Sequence, residues 1–292
     1  MKSKFVSIII PVYRDWKRLT LCLDALSNQS YSHEDFEVII INNDVEDDVP
    51  GNFFLPDNCM LLTEAKPGSY AARNAGLRIA KGEIIGFTDS DCIPRKDWIK
   101  NAVDYLGENK VCSRVAGVIS IIQQTKKPTI IEAYNIIYGF PQKGLIDSGG
   151  GSVTANLFSY RYVFERVGYF DENLMSMGDK YWGMLAQVAG FQVHLVENVI
   201  VEHPPRNLTE LIQKEKRHGG VVKKTFNNKI MLYLYFVYQL RPHFSALTFM
   251  FSQSKEIRII DRISIPFLRH FLLIVRAYEN LKVQLGKKPA RT

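Results

Sequence analysis

Paired cysteines, glycine-rich phosphate loops and bilayer-length apolar runs are what this chain of 292 residues lacks. Its four cysteines, Cys22, Cys59, Cys92 and Cys112, lie far apart, with no C-x-x-C pair and no Cys/His cluster. That excludes a recognisable thiolate zinc site, and cysteines in or beside apolar runs read as small core residues rather than disulfide partners. The N-terminus goes almost directly into an apolar strand, leaving no room for a signal peptide, so a reducing cytoplasm is expected. No Gly-x-Gly-x-x-Gly follows that strand, which removes the dinucleotide-cofactor fingerprint and the phosphate loop of a nucleotidyltransferase. The apolar stretch Ile230 to Leu240 spans eleven residues, too few to cross a bilayer as one helix.

What is present is an uneven charge. The formal net charge is +7. From Arg206 onward there are 17 Lys/Arg against 5 Asp/Glu, or +12, which leaves −5 on residues 1–205. The basic part is also aromatic and aliphatic. That combination suits an anionic partner with an apolar component, a membrane surface before nucleic acid. No nucleic-acid reading motif is recognisable, and no nucleic-acid partner is expected. The length allows one large domain, or one plus an appendage.

Phe5 to Val12 is a continuous apolar run, the pattern of a strand buried on both faces of a parallel sheet. Pro11 is expected to end it, since proline cannot donate to a ladder. Asp15 then stands as N-cap of a helix whose Leu19, Cys22, Leu23 and Leu26 share one face. Phe36 to Ile41 is the next buried strand, running into Asn42-Asn43-Asp44. Strand, helix and strand in this order make a βαβ unit. Met60 to Leu62 reads as a short strand, and Ala71 to Ala80 as a small-residue helix able to approach the sheet closely. Arg73 and Asn74 near its start are either surface residues or nucleotide contacts.

The stretch around which the chain is organised comes next. Glu83 to Thr88 reads as a buried strand, followed by Asp89-Ser90-Asp91. Side chains at i and i+2 of an extended backbone point one way, so Asp89 and Asp91 are expected to share one space at the strand's C-terminal end. Open α/β sheets bind their ligands there. The two carboxylates mark either a polar turn or a seat for a hard cation that clamps phosphate oxygens.

Ser7-Ile8-Ile9-Ile10-Pro11-Val12-Tyr13, Ala72-Arg73-Asn74-Ala75-Gly76 and Phe87-Thr88-Asp89-Ser90-Asp91 keep the order and spacing of the family-2 glycosyltransferases. The chain resembles that family, with its GT-A fold, over roughly residues 5–220. The resemblance implies an α/β fold with a Rossmann-like, mostly parallel central sheet flanked by helices. It implies a nucleotide-diphosphate-sugar site in which Pro11 and Tyr13 line the base and ribose pocket. Arg73, Asn74, Asp89 and Ser90 would lie beside the nucleotide, and Asp91 would hold a divalent metal, Mn²⁺ or Mg²⁺. Where the family usually has an Asp touching the base, this chain has Asn42. A UDP-sugar is the first donor expected, but a carboxamide both donates and accepts where a carboxylate only accepts, so guanine- and cytosine-based donors are left open.

In the second half, Trp98 to Leu106 reads as a helix and Val115 to Ser120 as a strand. Gly139 to Gly151 has the composition of a mobile loop. Val153 to Phe158 resembles the family's second strand cluster, with Thr154 and Asn156 facing sugar and acceptor. Arg161 to Val167 reads as a short helix, and Gly168-Tyr169-Phe170-Asp171-Glu172 is similar to the family's usual turn. Asp179 opens the following helix, where the dipole favours a carboxylate. Alone it reads as a cap; the resemblance implies the catalytic base of an inverting transfer. Many family members carry an acid immediately before this Asp, where this chain has Gly178. Val199 to Arg206 reads as a last strand, and the resemblance implies that its His203 is a further metal ligand or diphosphate contact. Arg206, Lys214, Arg217 and His218 are placed to meet phosphates.

These readings divide the chain into a GT-A domain, 1–220, and a basic, apolar helical region, 221–292. The first comprises a nucleotide-binding half, 1–105, and an acceptor and catalytic half, 106–220. The C-terminal helices either lie in a membrane interface or cap the domain. The expected activity is metal-dependent, inverting transfer of a sugar to a glycan or polyprenyl-diphosphate-linked acceptor, in bacterial surface-polysaccharide synthesis. The enzyme would be cytoplasmic, possessing at most a peripheral hold on the cell membrane. The alternative of another class is a binding protein that keeps the fold to recognise a nucleotide or glycan without turnover.

Overall fold

Alternating faces of one apolar strand set the architecture. A computed structural model describes residues 3–124, 127–221, 229–241, 259–288 and 290. In β1 (Val6–Val12) the side chains of Val6, Ile8 and Ile10 enter one core cluster and that of Ile9 enters another, as the period of two requires. Over the first face pack Leu19, Cys22, Leu23 and Leu26 of α1 (Trp16–Ser27). The strands β2 (Phe36–Asn42) and β3 (Cys59–Thr63) follow, and α2 (Ser69–Ile79) covers the second face with Tyr70, Ala72 and Leu77. The small residues of α2 matter: a Cβ at Gly76 would lie 2.6 Å from Ile9 Cγ2.

Next come β4 (Ile84–Thr88), the two-residue β5 (Ile93–Pro94), α3 (Trp98–Glu108) and β6 (Cys112–Ile121). After α4 (Ile130–Tyr138) and α5 (Gln142–Asp147) stand β7 (Asn156–Tyr160), α6 (Arg161–Val167), α7 (Gly178–Val188) and β8 (Gln192–His203). The eight strands form one sheet in the order β3-β2-β1-β4-β7-β6-β8-β5. Neighbours run parallel except β4 with β7, β7 with β6, and β8 with β5. The antiparallel β7 lies between two parallel blocks, and the helices flank both faces.

Three local expectations are corrected. β1 continues through Pro11 to Val12. Val12 O accepts from Asn43 N at 2.8 Å on the β2 side, so proline's missing donor faces the other side, where pairing with β4 has ended at Ile9↔Phe87. The glycine-bearing tract 139–151 contains α5, whose Gln142 is buried and bonded to Val153 N. Asp15 sits at the N-cap position of α1, but its carboxylate meets Arg18 at 3.4 Å instead of capping.

The described residues divide into two compact units, one of Met1–Ile122, Phe140–Leu174 and Gly178–Pro204, the other of Gln123–Gly139, Met175–Met177 and Pro205–Thr292. The sheet belongs to the first. The second holds α4, α8 (Leu208–Gly220), α9 (Lys229–Gln239) and α10 (Ile259–Gln284), with a core of Ala133, Tyr134, Leu211, Ile265 and Leu272. Capping boxes of Thr129 with Glu132 and Asn207 with Glu210 fix the starts of α4 and α8. Among the described residues no helix is long and apolar enough to cross a membrane. The apolar stretch 244–251 lies outside the described residues.

Candidate active site

The sheet's C-terminal edge is drawn together by side chains from loops that follow β1, β2 and β4. Asn43 Nδ2 donates to Glu64 O and Lys66 O at 2.9 and 2.8 Å, and its Oδ1 accepts from Gly68 N at 2.7 Å. Arg14 and Asp44 pair at 2.5 Å, and Trp16 Nε1 donates to Asp47 at 2.7 Å. Tyr13 stays 40% exposed beside this cross-braced edge, two residues after the partly buried Pro11.

β4 ends at Thr88, so Asp89 and Asp91 do not owe their placement to strand alternation. Cys92 N–H donates to Asp89 O at 3.1 Å, closing a turn over residues 89–92 with Ser90 inside it. Two buried thiols, Cys22 and Cys92, lie beneath the turn. Burial, helped by the charges of Asp91 and Asp89, pushes both thiols well up, so they pack there as neutral groups.

Each carboxylate has its own cation. Arg73, almost fully buried on α2, reaches Asp89 Oδ1 at 2.5 Å, and its Nε has no hydrogen-bond partner among the described residues. Asp91 Oδ2 lies 3.1 Å from Nε2 of His203 at the end of β8, and 3.9 Å from Arg18 Nη1. His203 is buried against the ring of Phe140, and its Nδ1 lies 2.5 Å from Pro204 O. A carbonyl only accepts, so Nδ1 carries a proton, and Nε2 is the atom presented to Asp91. A carbonyl behind a ligating histidine is the usual way its ring is oriented. Neighbouring ligands of an octahedral cation with bonds of about 2.0–2.1 Å stand about 3 Å apart. The Asp91–His203 separation fits that requirement. Among the described residues no group of three or more His, Cys, Asp or Glu gathers for a metal, so further ligands would have to come from bound phosphate or water.

Asp179 is the second residue of α7 and is held from three directions. Tyr70 Oη donates to its Oδ1 at 3.0 Å, together with Lys180 N at 2.8 Å. Thr154 approaches Oδ2 with its N–H at 3.1 Å and its hydroxyl at 3.4 Å. Burial first, and then the charge of Asp179, keeps the Tyr70 phenol well above its ordinary value, so it stays a donor. Tyr70 and Arg73 are three residues apart on α2, hence on one face. A single helical turn thus supports both Asp179 and Asp89. Thr88 Oγ1 donates to Ala155 O at 3.1 Å, fastening the end of β4 to the residue after Thr154.

Three expected ligand contacts are turned inward instead. Asn42 spends its amide on the loop, with Nδ2 to Asp47 O at 3.0 Å and Oδ1 from Asp44 N at 3.1 Å. Asn74 clamps the turn after α6, donating to Phe170 O and Glu172 and accepting from Phe170 N. Asn156 is fully buried: it donates to Val118 O and Val199 O and accepts from Trp98 Nε1 at 2.9 Å. Gly117 leaves it room, since a Cβ there would lie 2.3 Å from Asn156 Nδ2. Buried amides need partners, and main-chain groups supply them here. The residues that sequence reasoning passed over are Tyr70 and Arg18, and the three-residue step from Tyr70 to Arg73 was the available signal.

The sequence profile of the family described as glycosyl transferase family 2 matches residues 7–167. Glycosyltransferase AglE of Haloferax volcanii is 34% identical over 220 residues, covering 74% of this chain and 72% of its own. A Methanococcus voltae protein, named a dolichyl N-acetyl-alpha-D-glucosaminyl phosphate 3-beta-D-2,3-diacetamido-2,3-dideoxy-beta-D-glucuronosyltransferase, is 25% identical over 241 residues, covering 75% and 73%. Among solved structures, the mannosyltransferase PcManGT of Pyrobaculum calidifontis with GDP-Man and Mn²⁺ aligns at a TM-score of 0.58 and 18% identity. That alignment covers 99% of this chain and 78% of that one. S. aureus TarS 1–349 with UDP aligns at 0.54 and 16% identity, covering 97% and 92%. At such identities the structures show a shared fold, GT-A.

Proposed function

The chain belongs to glycosyl transferase family 2, and from that premise we propose a metal-dependent, inverting transfer of a sugar from a nucleotide diphosphate. The observation that carries the reading is Asp179, a carboxylate oriented by Tyr70, Thr154 and the Lys180 N–H. Asp179 takes the proton of an acceptor hydroxyl as that oxygen bonds to the anomeric carbon. The bond from that carbon to the diphosphate breaks with its electron pair, and attack from the opposite face inverts the configuration. Exposed Tyr13, after Pro11, offers a ring for the base. Arg73 holds Asp89 on the nucleoside side, with Ser90 beside it, and the Arg73 Nε remains a donor for a ligand oxygen. Asp91 and His203 are the residues that would hold a divalent cation. When bound, Mn²⁺ or Mg²⁺ would neutralise charge on the leaving diphosphate.

The named ligands of the structural relatives, GDP-Man and UDP, make guanine- and uracil-based donors the first to test. The Methanococcus voltae relative is named for a dolichyl-linked acceptor, which supports a lipid-linked glycan here in surface-polysaccharide assembly. Exposed Ile230, Leu234 and Val237 on α9 and Phe267 on α10, apolar groups in a basic region, support a peripheral membrane contact. The test is Asp179→Asn in a donor-hydrolysis and transfer screen. Turnover should disappear while nucleotide binding persists. Unchanged turnover would remove Asp179 as base, and no turnover by the unaltered chain with any donor would favour a binding protein.

A further inference from the structure

The strand that delivers His203 is not continuous in its pairing. β8 runs in step beside β6 as far as Gly117↔Val196, and the next pair is Val118↔Ile200. Glu197, Asn198 and Val199 are left over as a bulge on β8. In-step pairing would set Ile200 opposite Ile121, the place that His203 holds. It would carry the histidine about 10 Å further along, at the usual rise per residue. The bulge therefore decides which side chain ends β8.

A bulge releases main-chain carbonyls from the ladder, and buried carbonyls need donors. Side-chain amides supply them here. Asn101 Nδ2 donates to Asn198 O at 2.7 Å, and Gln142 Nε2 to Gly117 O at 3.3 Å. Fully buried Asn156 spans the gap itself: its Nδ2 donates to Val118 O on β6 at 2.8 Å and to Val199 O on β8 at 3.0 Å. Its Oδ1 is held by Trp98 Nε1 at 2.9 Å, so the amide's hydrogens are turned to the two strands. Gly117 keeps the space open, since a Cβ there would meet both Val199 O and the Asn156 amide.

Beyond the bulge, β8 is held from both sides. Ile200 to His203 pair with Val118 to Ile121 of β6, while Val201 and Glu202 pair also with Pro94 and Ile93 of β5. β5 starts two residues after Asp91. His203 follows directly on the Ile93↔Glu202 pair, which leaves its Nε2 3.1 Å from Asp91 Oδ2.

We propose, resting on the reading of Asp91 and His203 as cation ligands, that Asn156 is a positioning residue for their seat. By bonding across the bulge it sets the register that brings His203 to Asp91.

The test follows Mn²⁺, alone and with UDP or GDP, by titration and pulsed EPR on the full chain. Wild type should show the ion coupled to a histidine nitrogen. Asn156→Ala and Gly117→Ala should each weaken Mn²⁺ by about tenfold or more, the scale of losing a group that orients a ligand, and should lose the coupling. Arg161→Gln releases Gly82 O before the start of β4; it should lower the thermal midpoint and leave Mn²⁺ affinity and coupling as in wild type. Thermal midpoints report folding. Trp98→Phe, which removes the donor that orients the Asn156 amide, replaces either variant that unfolds and should show the same loss. Asn156 and Gly117 variants within about twofold of wild type, with the coupling intact while His203→Ala loses it, would overturn this role and leave the seat standing. Coupling kept in His203→Ala, or missing from wild type, would overturn both.

Discussion

Gly178 lies against the ring of Tyr70 so closely that a Cβ at 178 would stand 2.8 Å from Tyr70 Cε2. The same phenol donates to Asp179, the next residue, at 3.0 Å. Gly178 therefore leaves the space in which Tyr70 reaches the carboxylate of Asp179, the proposed base.

Tyr70→Phe keeps the ring and removes one donor to Asp179. The expected outcome is a fall in kcat of about tenfold, the scale of a lost hydrogen bond to a charged group, with nucleotide affinity unchanged. Gly178→Ala should lower kcat similarly and cost about 1–3 kcal/mol of stability through overpacking. Steady-state kinetics and urea unfolding check both. Equal kcat in Tyr70→Phe and wild type would remove the positioning role.

Adjacent residues on α2 should fail differently. Asn74→Ala leaves Phe170 N and O without their side-chain partner, a loss of about 1–3 kcal/mol, with little effect on nucleotide affinity. Arg73→Gln removes the cation from Asp89 and should weaken nucleotide binding far more than it weakens the fold. Unfolding curves and calorimetry on the two variants separate these effects.

Lys214 makes stability depend on pH. Its folded value, about 7, lies below the ordinary 10.5. Between these values the unfolded chain holds the extra proton, so this group's contribution to stability rises with pH. Below pH 7 the full cost of burying the charge is present; above about 10.5 it is gone. Relative to Lys214→Met, wild-type stability should therefore climb across that window. Urea unfolding at pH 6 and near pH 10 tests the sign, and a flat difference would contradict it.

The buried strands were legible because runs such as Ile8–Ile10 and Val38–Ile41 carry their burial in composition. The helix α1 followed from the spacing of Leu19, Cys22, Leu23 and Leu26. Asn74 and Asn156 misled, because an amide in a motif looks the same whether it faces a ligand or main chain. Only the fold shows that Asn74 meets Phe170 and that Asn156 meets Val118 and Val199. The Asp89–Asp91 turn was located correctly but for the wrong geometric reason, since a hydrogen bond from Cys92 and not a strand brings the pair about. Tyr70 was missed because its partner lies 109 residues away, a distance no local pattern reports.

The central claim is that Asp91 and His203 seat a cation for a nucleotide diphosphate. It is tested most directly by calorimetric binding of UDP, GDP, CDP and dTDP, with Mn²⁺ and with EDTA, to wild type, Asp91→Ala and His203→Ala. The account predicts that one nucleotide binds wild type only with Mn²⁺ and that both variants lose this binding while staying folded. Metal-independent binding, or binding kept in both variants, would contradict it.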